Sequence, residues 1–593
     1  MDKDYYKNQN LVYLDIETDD SKDCGTDPYR SKIVTMQVML ADGFKAIKCN
    51  DEIKPEKFRY LENMLVVGHN LLFECKFIKH HLNITLKNVY DTMIAEHVIT
   101  GGVSGRTSLN ELTEKYCGVT LDKTLQRSFV YGKEPSPAQV EYAYQDIVHL
   151  ETIMKKQLAE VARLNLWNTL EIEMNCVPAV AWMELSGANV DIPTLKEIEA
   201  TVRAQKDAVE ETLKSELTYE QSDAKGKQMT LFGGVTKITP DLTSPKQLLE
   251  ALHRKGLKNM AGTGKQEMSK YQGNPVITDL KIWKGNEKLL SGFINPLLGY
   301  DRKTKQYGES KFINPVTGRV HPNFNQVGAR SGRFACNNPN LQQQPSRVKE
   351  WRHIYKAMPG CKIVAADWSQ IELRIVGQLS QEPAYIEAYN DKKDLHRRTA
   401  SQMFNLPLEQ VTDAQRNMAK SINFGLNYGM GAATLKEKLK MDVGIDMPVE
   451  EAQRLKEVFQ DMYPKVTNYL YKSGEKGFSQ GYVYTAAGRL CLTMNPGIET
   501  PEYTSKNRGK NLPIQGLCAD MLKIAMREIF LKLEPRGVKL INTVHDELVF
   551  ECKAEIANEV GEIVKAEMEK AGKQFLPDLP CVSEVTIDNY WRH

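Results

Sequence analysis

The sequence lacks the features that mark several specialised classes of protein. None of its apolar runs approaches the roughly 20 residues that a membrane-spanning helix needs, and the opening MDKDYYKNQN contains no apolar segment of a secretory signal. The 11 cysteines include no Cys-x-x-Cys pair, which disfavours a structural zinc site and a disulfide framework. We therefore expect a cytoplasmic protein with no membrane partner, and its 593 residues are enough for several domains.

An excess of charge of one sign is also missing. The chain carries 78 Lys and Arg against 76 Asp and Glu, so a surface for nucleic acid would need its positive charge segregated. Residues 251–310 show such segregation, with 11 Lys and Arg against 5 Asp and Glu. By itself, a stretch of this kind is typical of a solvated surface.

Hydrophobic patterning divides the chain into an α/β part and a longer mixed part. Within residues 11–150, the strand-like segments LVYLDIET, IVTMQVML and MLVVGHN alternate with helical patterns. Residues 160–215 favour helices, and the polar residues 219–245 favour loops. From residue 361 onward, strands alternate with long helices.

Acidic residues cluster at the end of the first strand and recur later in the α/β part. Asp15 and Glu17 are two apart, so both carboxylates project from one face of the strand. Like charges repel there unless a cation lies between them. Glu74 follows another strand, and Tyr142 and Asp146 lie four apart on one face of a helix. These three segments together favour a metal site over solvated surface acids.

Two further carboxylates lie at the ends of apolar strands. In CKIVAADWSQIELR a strand ends at Asp367, and in INTVHDELVFEC a hairpin turn carries His545, Asp546 and Glu547. Acidic turn residues are usually solvated, whereas a carboxylate at the end of a buried strand needs a partner. The pattern therefore leaves open a shared cation between the two segments.

Two predicted helices begin with the signature of a capping box. One runs from Ser369 to Glu372 and the other from Thr412 to Gln415. For Glu372 this gives a purely structural role, which the sequence cannot rank against a functional one.

The second of these helices combines cations and aromatic rings in one stripe. Its members recur every four residues and drift slowly around the helix: Arg416, Lys420, Phe424 and Tyr428. A solvated basic face would explain the cations alone. Cations near a helix N-terminus strengthen a dipole that already attracts anions, so the stripe suits phosphates at one end and a flat base at the other.

Together these motifs resemble those of family A DNA polymerases that carry a 3′–5′ proofreading exonuclease. The exonuclease of that family has Asp-x-Glu, Asn-x-x-Phe/Tyr-Asp and Tyr-x-x-x-Asp in this order. Its polymerase has motif A, Asp-Tyr-Ser-Gln-Ile-Glu-Leu-Arg, motif C, Val-His-Asp-Glu, and a fingers helix with Arg-x-x-x-Lys-x-x-x-Phe-Gly-x-x-Tyr-Gly. Trp368 replaces the tyrosine of motif A, and the resemblance extends from about Leu11 to His593.

The resemblance implies an α/β and α+β multidomain fold. An RNase H-like exonuclease domain would occupy residues 1–160, and a right-hand polymerase domain residues 161–593. Its subdomains would be the following: thumb, about 191–319; palm, about 165–190, 320–383 and 485–593; fingers, about 384–484. We expect a monomer in the cytoplasm of a bacterial or phage-infected cell, and the sequence identifies no processivity factor.

For the exonuclease, the resemblance implies that Asp15, Glu17, Glu74 and Asp146 ligate two divalent ions, while Tyr142 orients the attacking water. The sequence departs from the family at Glu74, where the family has Asp. Since Mg²⁺ demands near-ideal octahedral geometry, the longer side chain predicts a weakened exonuclease.

For the polymerase, the resemblance implies that Asp367 and Asp546 face each other and hold two Mg²⁺ ions, for which Mn²⁺ would substitute. Glu547 would support this site without ligating directly. Glu372 would crowd the 2′-hydroxyl of a ribonucleotide and so favour deoxynucleotides.

The resemblance also implies contacts to the substrates, deoxynucleoside triphosphates and a primed DNA template. Arg416 and Lys420 would hold the triphosphate, Phe424 would pack on sugar and base, Tyr428 would lie near the templating base, and His396 would contact a phosphate. The DNA contacts would come from Arg333, Gln342, Arg347, Asn511, Gln515 and His545. The basic stretch 251–310 would then belong to a thumb that grips the duplex through its phosphates.

Two alternatives remain to be weighed against this interpretation. A single-subunit RNA polymerase is disfavoured by Glu372, by the His-Asp-Glu turn and by the attached proofreading domain. A non-catalytic DNA-binding relic is disfavoured because every matched polymerase carboxylate is present.

Overall fold

The structure is a computed structural model of the chain. It describes residues 6, 9–21, 23–50, 53–103, 105, 107–222, 235–271, 273–345, 348 and 350–592. The chain divides into two compact units. The first unit comprises Met1–Ala188, Arg319–Gln343 and Ala357–His593, and the second comprises Asn189–Gly318 and Gln344–Lys356. Most of the second unit is therefore a single insertion in the sequence of the first.

A five-stranded sheet opens the first unit, with strand order β3-β2-β1-β4-β5. Its strands are β1 (Leu11–Thr18), β2 (Ile33–Leu40), β3 (Gly43–Lys48), β4 (Leu65–Gly68) and β5 (Asn88–Asp91). The central strand β1 pairs antiparallel with β2 and parallel with β4. Val12, Leu14 and Ile16 are buried on one face of β1, so period-two alternation sends Asp15 and Glu17 to the other face.

Helices lie between and after these strands in the sequence. They are α1 (Leu72–Leu82), α2 (Thr92–Ile99), α3 (Leu109–Cys117), α4 (Pro137–Val148), α5 (Leu150–Leu164) and α6 (Trp167–Ser186). Leu170, Met174 and Val177 of α6 are buried in the same apolar core as β1 and β4. Helix α6 therefore shares the core of the N-terminal sheet although it lies beyond residue 160.

A second sheet, entirely antiparallel, has strand order β17-β18-β14-β19. Its strands are β14 (Cys361–Trp368), β17 (Lys539–Val544), β18 (Glu547–Lys553) and β19 (Ser583–Asp588). The register places Asp367 of β14 opposite Glu547 on one neighbour and Glu584 on the other. The turn of His545 and Asp546 therefore lies beside the end of β14.

Nine α-helices of the first unit follow β14 in the described sequence. They are α12 (Ile371–Ser380), α13 (Pro383–Asn390), α14 (Leu395–Phe404), α15 (Asp413–Asn427), α16 (Ala432–Val443), α17 (Val449–Met462), α18 (Pro464–Gln480), α19 (Glu502–Leu533) and α20 (Ala557–Lys573). The short strands of the first unit are β11 (Arg319–Val320), β12 (Asn323–Asn325), β13 (Ala335–Asn337), β15 (Tyr482–Tyr484) and β16 (Leu490–Leu492). Eighteen of the 32 residues of α19 are buried, so this helix is a central support of the first unit.

The second unit is built mainly from helices. They are α7 (Ile192–Leu217), α8 (Pro245–Arg254), α9 (Lys265–Ser269), α10 (Pro275–Leu289) and α11 (Asn295–Leu298). Leu213, Leu252 and Trp283 lie in its core. Short strands are β6 (Ala188–Asn189, where the two units meet in sequence), β7 (Tyr219–Ser222), β8 (Val235–Ile238), β9 (Tyr300–Asp301) and β10 (Gln306–Tyr307).

Two local predictions were wrong. Residues 219–245 are not only loops, because β7 and β8 pair as an antiparallel ribbon and α8 begins at Pro245. Ser369 does not cap a helix: α12 begins after Gln370, whose φ of 54° is left-handed and whose side chain makes no capping hydrogen bond. Its counterpart is confirmed, since Thr412 and Gln415 form a reciprocal capping box at α15.

Over the described part of the chain, every helix is too short or too polar to traverse a lipid bilayer.

Candidate active sites

A carboxylate cluster forms where β1 and α4 meet in the first unit. Oxygen atoms of Asp15, Glu17 and Asp146 all lie within 4.8 Å of one another. Glu17 and Asp146 are buried and Asp15 is half-buried. The periodicities of strand and helix thus bring the three sequence-predicted acids together.

The environment of this cluster opposes negative charge. Burial, and then the charge of Asp146, raise the pKa of Asp15. Burial, and then the charge of Asp15, raise the pKa of Glu17. Tyr142 lies one turn before Asp146 on α4, and its pKa is raised mainly by burial and next by the Asp146 carboxylate. A bound divalent cation would relieve this repulsion.

Glu74, in the first turn of α1, lies near the same cluster but outside the three closest acids. Its side chain is 3% exposed, and among the described residues its Oε2 has no hydrogen-bond partner. Burial, and then the charge of Asp15, raise its pKa. The buried, unpaired oxygen fits a position close to a bound cation.

Two residues of this site were missed by sequence reasoning. Asp91 accepts hydrogen bonds from the backbone N–H groups of Asn70 and Leu71, at 3.0 and 2.7 Å, and so fixes the start of α1. Lys123 places its Nζ 2.5 Å from Oδ1 of Asp146. The position of Asp91 at the end of a strand was a usable signal, whereas a single lysine in a polar segment gives none.

A second pair of carboxylates converges at the edge of the second sheet. The carboxylates of Asp367, at the end of β14, and Asp546, in the β17–β18 turn, lie close enough for the charge of Asp367 to raise the pKa of Asp546. Preceding Asp546, His545 adopts a left-handed φ of 56° and is exposed. Among the described residues, Oδ1 of Asp367 is buried without a partner. Acids far apart in sequence therefore meet, as the motifs predict.

Burial and crowding raise the pKa of both aspartates to about 7. For Asp367 the largest cause is burial, followed by the charges of Glu547 and Glu584. For Asp546 the largest cause is again burial, followed by the charges of Asp367 and Glu372. Glu584, on β19, was not singled out in the sequence because its strand carries no motif.

Three side chains support this pair of aspartates. Glu547 is buried and accepts a 2.8 Å hydrogen bond from Nε1 of Trp591, so it is held by the protein interior. Arg333 forms an ion pair with Glu372, and its positive charge lowers the pKa of Asp546, opposing the effect of burial. The structure therefore gives Glu372 an arginine partner instead of the predicted cap.

Helix α15, which carries the stripe of cations and aromatic rings, belongs to the first unit, as the two aspartates do. Arg416 is bonded through Nε to Oδ2 of Asp394 at 2.5 Å, while Lys420 is exposed. The ring of Phe424 lies 5.8 Å from that of His396. At the end of the helix, the carbonyl of Tyr428 accepts a hydrogen bond from Nδ2 of Asn511 at 3.2 Å.

His396 lies in the interior. It is 1% exposed, and Nδ2 of Asn423 lies 3.0 Å from its Nδ1. An amide NH₂ group can only donate, so Nδ1 accepts and the ring proton sits on Nε2. Burial lowers the pKa of His396 to about 4. Its Nε2 has no hydrogen-bond partner within the described ranges, and a phosphate contact would require that atom to become accessible.

The remaining predicted DNA contacts are placed as follows. Gln342 donates from Nε2 to the carbonyl of Thr543 at 3.1 Å, on the strand that leads to Asp546. Gln515 lies half-buried on α19, one turn after Asn511. Arg347 lies outside the described residues.

The first unit has one acidic site on each of its two main sheets and a helix with cations and aromatic rings. This combination fits an enzyme that acts on phosphate esters. Comparison with protein families agrees. The model for DNA polymerase family A matches residues 208–593, and a 3′–5′ exonuclease model matches residues 4–161. The chain belongs to DNA polymerase family A and is a DNA-directed DNA polymerase with a 3′–5′ exonuclease domain. The family and the order of domains predicted from the sequence are confirmed.

Several curated relatives are DNA polymerases I. That of Aquifex aeolicus is 31% identical over 554 residues, which are 89% of this chain and 88% of the relative. The thermostable enzyme of Thermus aquaticus is 31% identical over 72% of this chain, but the match spans only 48% of that relative. A solved structure, the POL domain of Pol1 from M. smegmatis in complex with DNA primer-template and dNTP, has a TM-score of 0.80 at 23% identity and covers 99% of this chain and 97% of that chain. This last likeness supports the fold.

Proposed function

We propose that the chain extends a DNA primer at Asp367 and Asp546, and trims its 3′ end at Asp15, Glu17, Glu74 and Asp146, in both cases with divalent metal ions. The observation that carries the first half is the closeness of Asp367 and Asp546, with a buried Oδ1 of Asp367 that has no hydrogen-bond partner in the described part of the chain. Carboxylate oxygens are the ligands that suit Mg²⁺. Two such ions, when bound, would activate the primer 3′-hydroxyl and neutralise the triphosphate.

The protein's own side chains would then position the reactants. Trp591 fixes Glu547 by its hydrogen bond, so the carboxylate of Glu547, opposite Asp367 in the sheet, keeps its orientation. Arg333 holds Glu372 beside the aspartates. In this position Glu372 would occupy the space that a ribose 2′-hydroxyl needs, which favours deoxynucleotides.

Helix α15 would bind the incoming nucleotide. Lys420 is already exposed, whereas Arg416 would have to exchange Asp394 for a phosphate. Phe424 would pack on the sugar and base, and Tyr428 would lie near the templating base. Nε2 of His396, which has no acceptor among the residues that the structure describes, would donate to a phosphate if the surrounding helices opened.

In the exonuclease site, the hydroxyl of Tyr142, one turn from Asp146 on α4, would orient a water molecule. The water would then be placed for attack on the terminal phosphodiester. The unpaired oxygen of Glu74 would face the second ion.

Each unit, taken by itself, carries proposed DNA contacts. The proposed contacts in the first unit are Arg333, Gln342, Asn511, Gln515 and His545, with Arg347 outside the described residues. Residues of about 191–319 would form the thumb, about 384–484 the fingers, and about 165–190, 320–383 and 485–593 the palm. The exposed lysines of 251–310 would contact phosphates of the duplex.

Primer extension and primer trimming test this proposal separately. With Mg²⁺ and deoxynucleotides, the parent should extend a primed template, and Asp546→Asn should lose at least about a hundredfold in rate. Without nucleotides, the parent should trim the same primer, and Asp146→Asn should abolish the trimming. Glu555→Gln, an exposed acid just after β18, serves as the control in both assays. Undiminished extension by Asp546→Asn would refute the assignment.

A further inference from the structure

Lys123 touches both exonuclease-site residues that α4 carries. Its Nζ lies 2.5 Å from Oδ1 of Asp146 and 5.3 Å from the centre of the Tyr142 ring. The first contact is a charge-assisted hydrogen bond. The second places the ammonium beside the ring of Tyr142, one turn from Asp146 on the same helix.

The position of Lys123 is fixed by its own segment, between α3 and α4. On one side, the N–H of the buried Leu121 donates to Oδ1 of Asn110 at 2.6 Å. On the other side, the buried Phe129 packs with Tyr142. The backbone is therefore held at both ends, so the lysine is directed at the cluster by the fold.

The charge of Lys123 acts on the entire cluster. Besides the bond to Asp146, it lowers the pKa of Asp15 and of Glu17, partly opposing the rise that burial causes. Within the described ranges, no other lysine or arginine forms an ion pair with these three acids. Yet the Lys123 side chain is 32% exposed, and its flexible four-carbon stem can turn to another anion.

We propose that Lys123 is the resident counter-cation of the exonuclease site: its ammonium holds Asp146 while no divalent ion is bound, and turns to a phosphate of the single-stranded 3′ end once an ion is held there. The proposal rests on the metal-dependent exonuclease function proposed above. Lys123 is thus a positioning residue, and no bond is made or broken in this exchange.

The exchange couples two binding events. A divalent ion must compete with the ammonium for Asp146, so Lys123 weakens metal binding in the absence of DNA. When a single strand is bound, its phosphate offers the ammonium a new partner, and this cost disappears. By linkage, metal and single-stranded DNA then strengthen each other's binding by the same factor, and the site loads its metal fully only when there is a 3′ end to trim.

Metal binding tests the coupling without relying on catalysis. The full chain with Asp367→Asn and Asp546→Asn would leave the exonuclease cluster as its main Mn²⁺ site, and free Mn²⁺ would be followed by electron paramagnetic resonance. Titrations would be made with and without oligodeoxythymidine whose last linkage is a phosphorothioate, which slows hydrolysis. Lys123→Met removes the charge at similar length, Lys123→Arg keeps it, and Lys133→Met alters an exposed lysine of the same segment.

Without DNA, Lys123→Met should bind Mn²⁺ about fivefold more tightly than its parent, and the oligonucleotide should improve its Mn²⁺ affinity by a smaller factor than it improves the parent's. Lys123→Arg and Lys133→Met should behave as the parent. Added Mn²⁺ should also raise the Tm of Lys123→Met more than that of the parent, because the metal-free variant lacks its counter-cation.

The possible failures are distinguishable. If the parent binds Mn²⁺ but Lys123→Met has the same affinity and the same coupling to DNA, the counter-cation proposal is wrong while the metal site stands. If the parent binds no Mn²⁺ at millimolar concentration, the proposed metal-dependent exonuclease falls, and the role of Lys123 falls with it. Circular dichroism and the Tm of each metal-free variant would show that the comparison is made between folded proteins.

Discussion

Glu74 stands where the exonuclease motif of the family has aspartate, and its side chain is buried with one oxygen unpaired. The extra methylene moves the carboxylate relative to the cluster of Asp15, Glu17 and Asp146. Octahedral Mg²⁺ tolerates such displacement poorly.

We expect Glu74→Asp to raise the rate at which a single-stranded 3′ end is trimmed by about tenfold. Glu74→Gln, which removes the charge at unchanged length, should lower it. The measurement is release of nucleotides from a labelled oligonucleotide in the absence of deoxynucleoside triphosphates. Equal rates for the parent and Glu74→Asp would show that the glutamate is fully competent.

His396 gives a prediction about pH. Its pKa in the folded protein is about 4, below the value of about 6.5 for an unfolded chain. Between these values the unfolded state binds the extra proton, so the stabilisation from neutral, buried His396 is complete above pH 6.5 and is lost as the pH falls toward 4. Lowering the pH from 7 to 5 should cost roughly 1–2 kcal/mol through this residue.

His396→Gln should therefore flatten the dependence of Tm on pH between 7 and 5, because the glutamine has no proton to gain. Thermal unfolding of parent and variant in matched buffers measures this difference, and the other histidines are common to both proteins. Parallel curves would contradict the buried, neutral state of His396.

Single residues were predictable where a regular element fixed the direction of their side chains. The strand period places Asp15 and Glu17 on one face, and the helix period places Tyr142 one turn before Asp146, so the cluster could be predicted from the sequence. Lys123 could not, because it reaches the site from a segment without periodicity.

Helix α15 is the element whose function its sequence pattern describes most directly. Its capping box was predicted correctly, and its stripe of Arg416, Lys420, Phe424 and Tyr428 follows from spacing alone. The partner of Arg416 inside the protein was not predictable. That partner is Asp394, the N-cap of α14, which belongs to a different sequence segment.

Lys420→Ala should lower the rate of nucleotide incorporation by about a hundredfold, because a cation at the transferring phosphates acts mainly in the transition state. Affinity for primed duplex should change by less than about twofold. Rapid-quench kinetics and fluorescence anisotropy measure the two quantities, with Lys436→Ala on α16 as the control. Equal losses in both would contradict the assignment of Lys420 to the triphosphate.

The elements predicted wrongly show what sequence patterns omit. Ser369 and Glu372 have the spacing of a capping box, but the left-handed conformation of Gln370 turns the chain and leaves Glu372 to Arg333. The ribbon of β7 and β8 was missed because its segments YEQS and VTKI lack a strong hydrophobic alternation.

At the scale of the molecule, a buried group of charges ties distant segments of the first unit together. Glu173 of α6 contacts Nζ of Lys523 at 2.6 Å and Nη2 of Arg489 at 2.5 Å. Arg489 in turn binds Asp520. All four side chains are at most 6% exposed. None of them belongs to a motif from which the buried group could be predicted.

Glu173→Gln would leave two buried cations with too little compensating charge, and we expect it to lower the free energy of unfolding by about 3–5 kcal/mol. The matched control is Glu151→Gln, since Glu151 pairs with Lys155 on the exposed face of α5. It should cost less than about 0.5 kcal/mol. Chemical denaturation of both variants would decide the matter, and similar losses would mean that the buried group contributes no more than a surface pair.

The basic stretch of the second unit gives a prediction about salt. Lys255, Lys258 and Lys265 are exposed there. If they contact duplex phosphates, replacing all three with alanine should flatten the plot of log affinity against log salt by about 0.9 per lysine. Lys214→Ala, at a lysine already paired with Glu210, should leave the slope unchanged. An unaltered slope in the triple variant would place the duplex elsewhere.

Finally, Gly187 precedes the inserted second unit and Arg319 follows it, yet the two are clasped: Nη2 of Arg319 donates to the carbonyl of Gly187 at 2.8 Å, and its Nη1 pairs with Glu551 at 3.1 Å. The two ends of the segment 188–318 are thus joined inside the first unit. Because the entropy of closing a chain segment grows only with the logarithm of its length, a change in the length of that segment should cost this junction little.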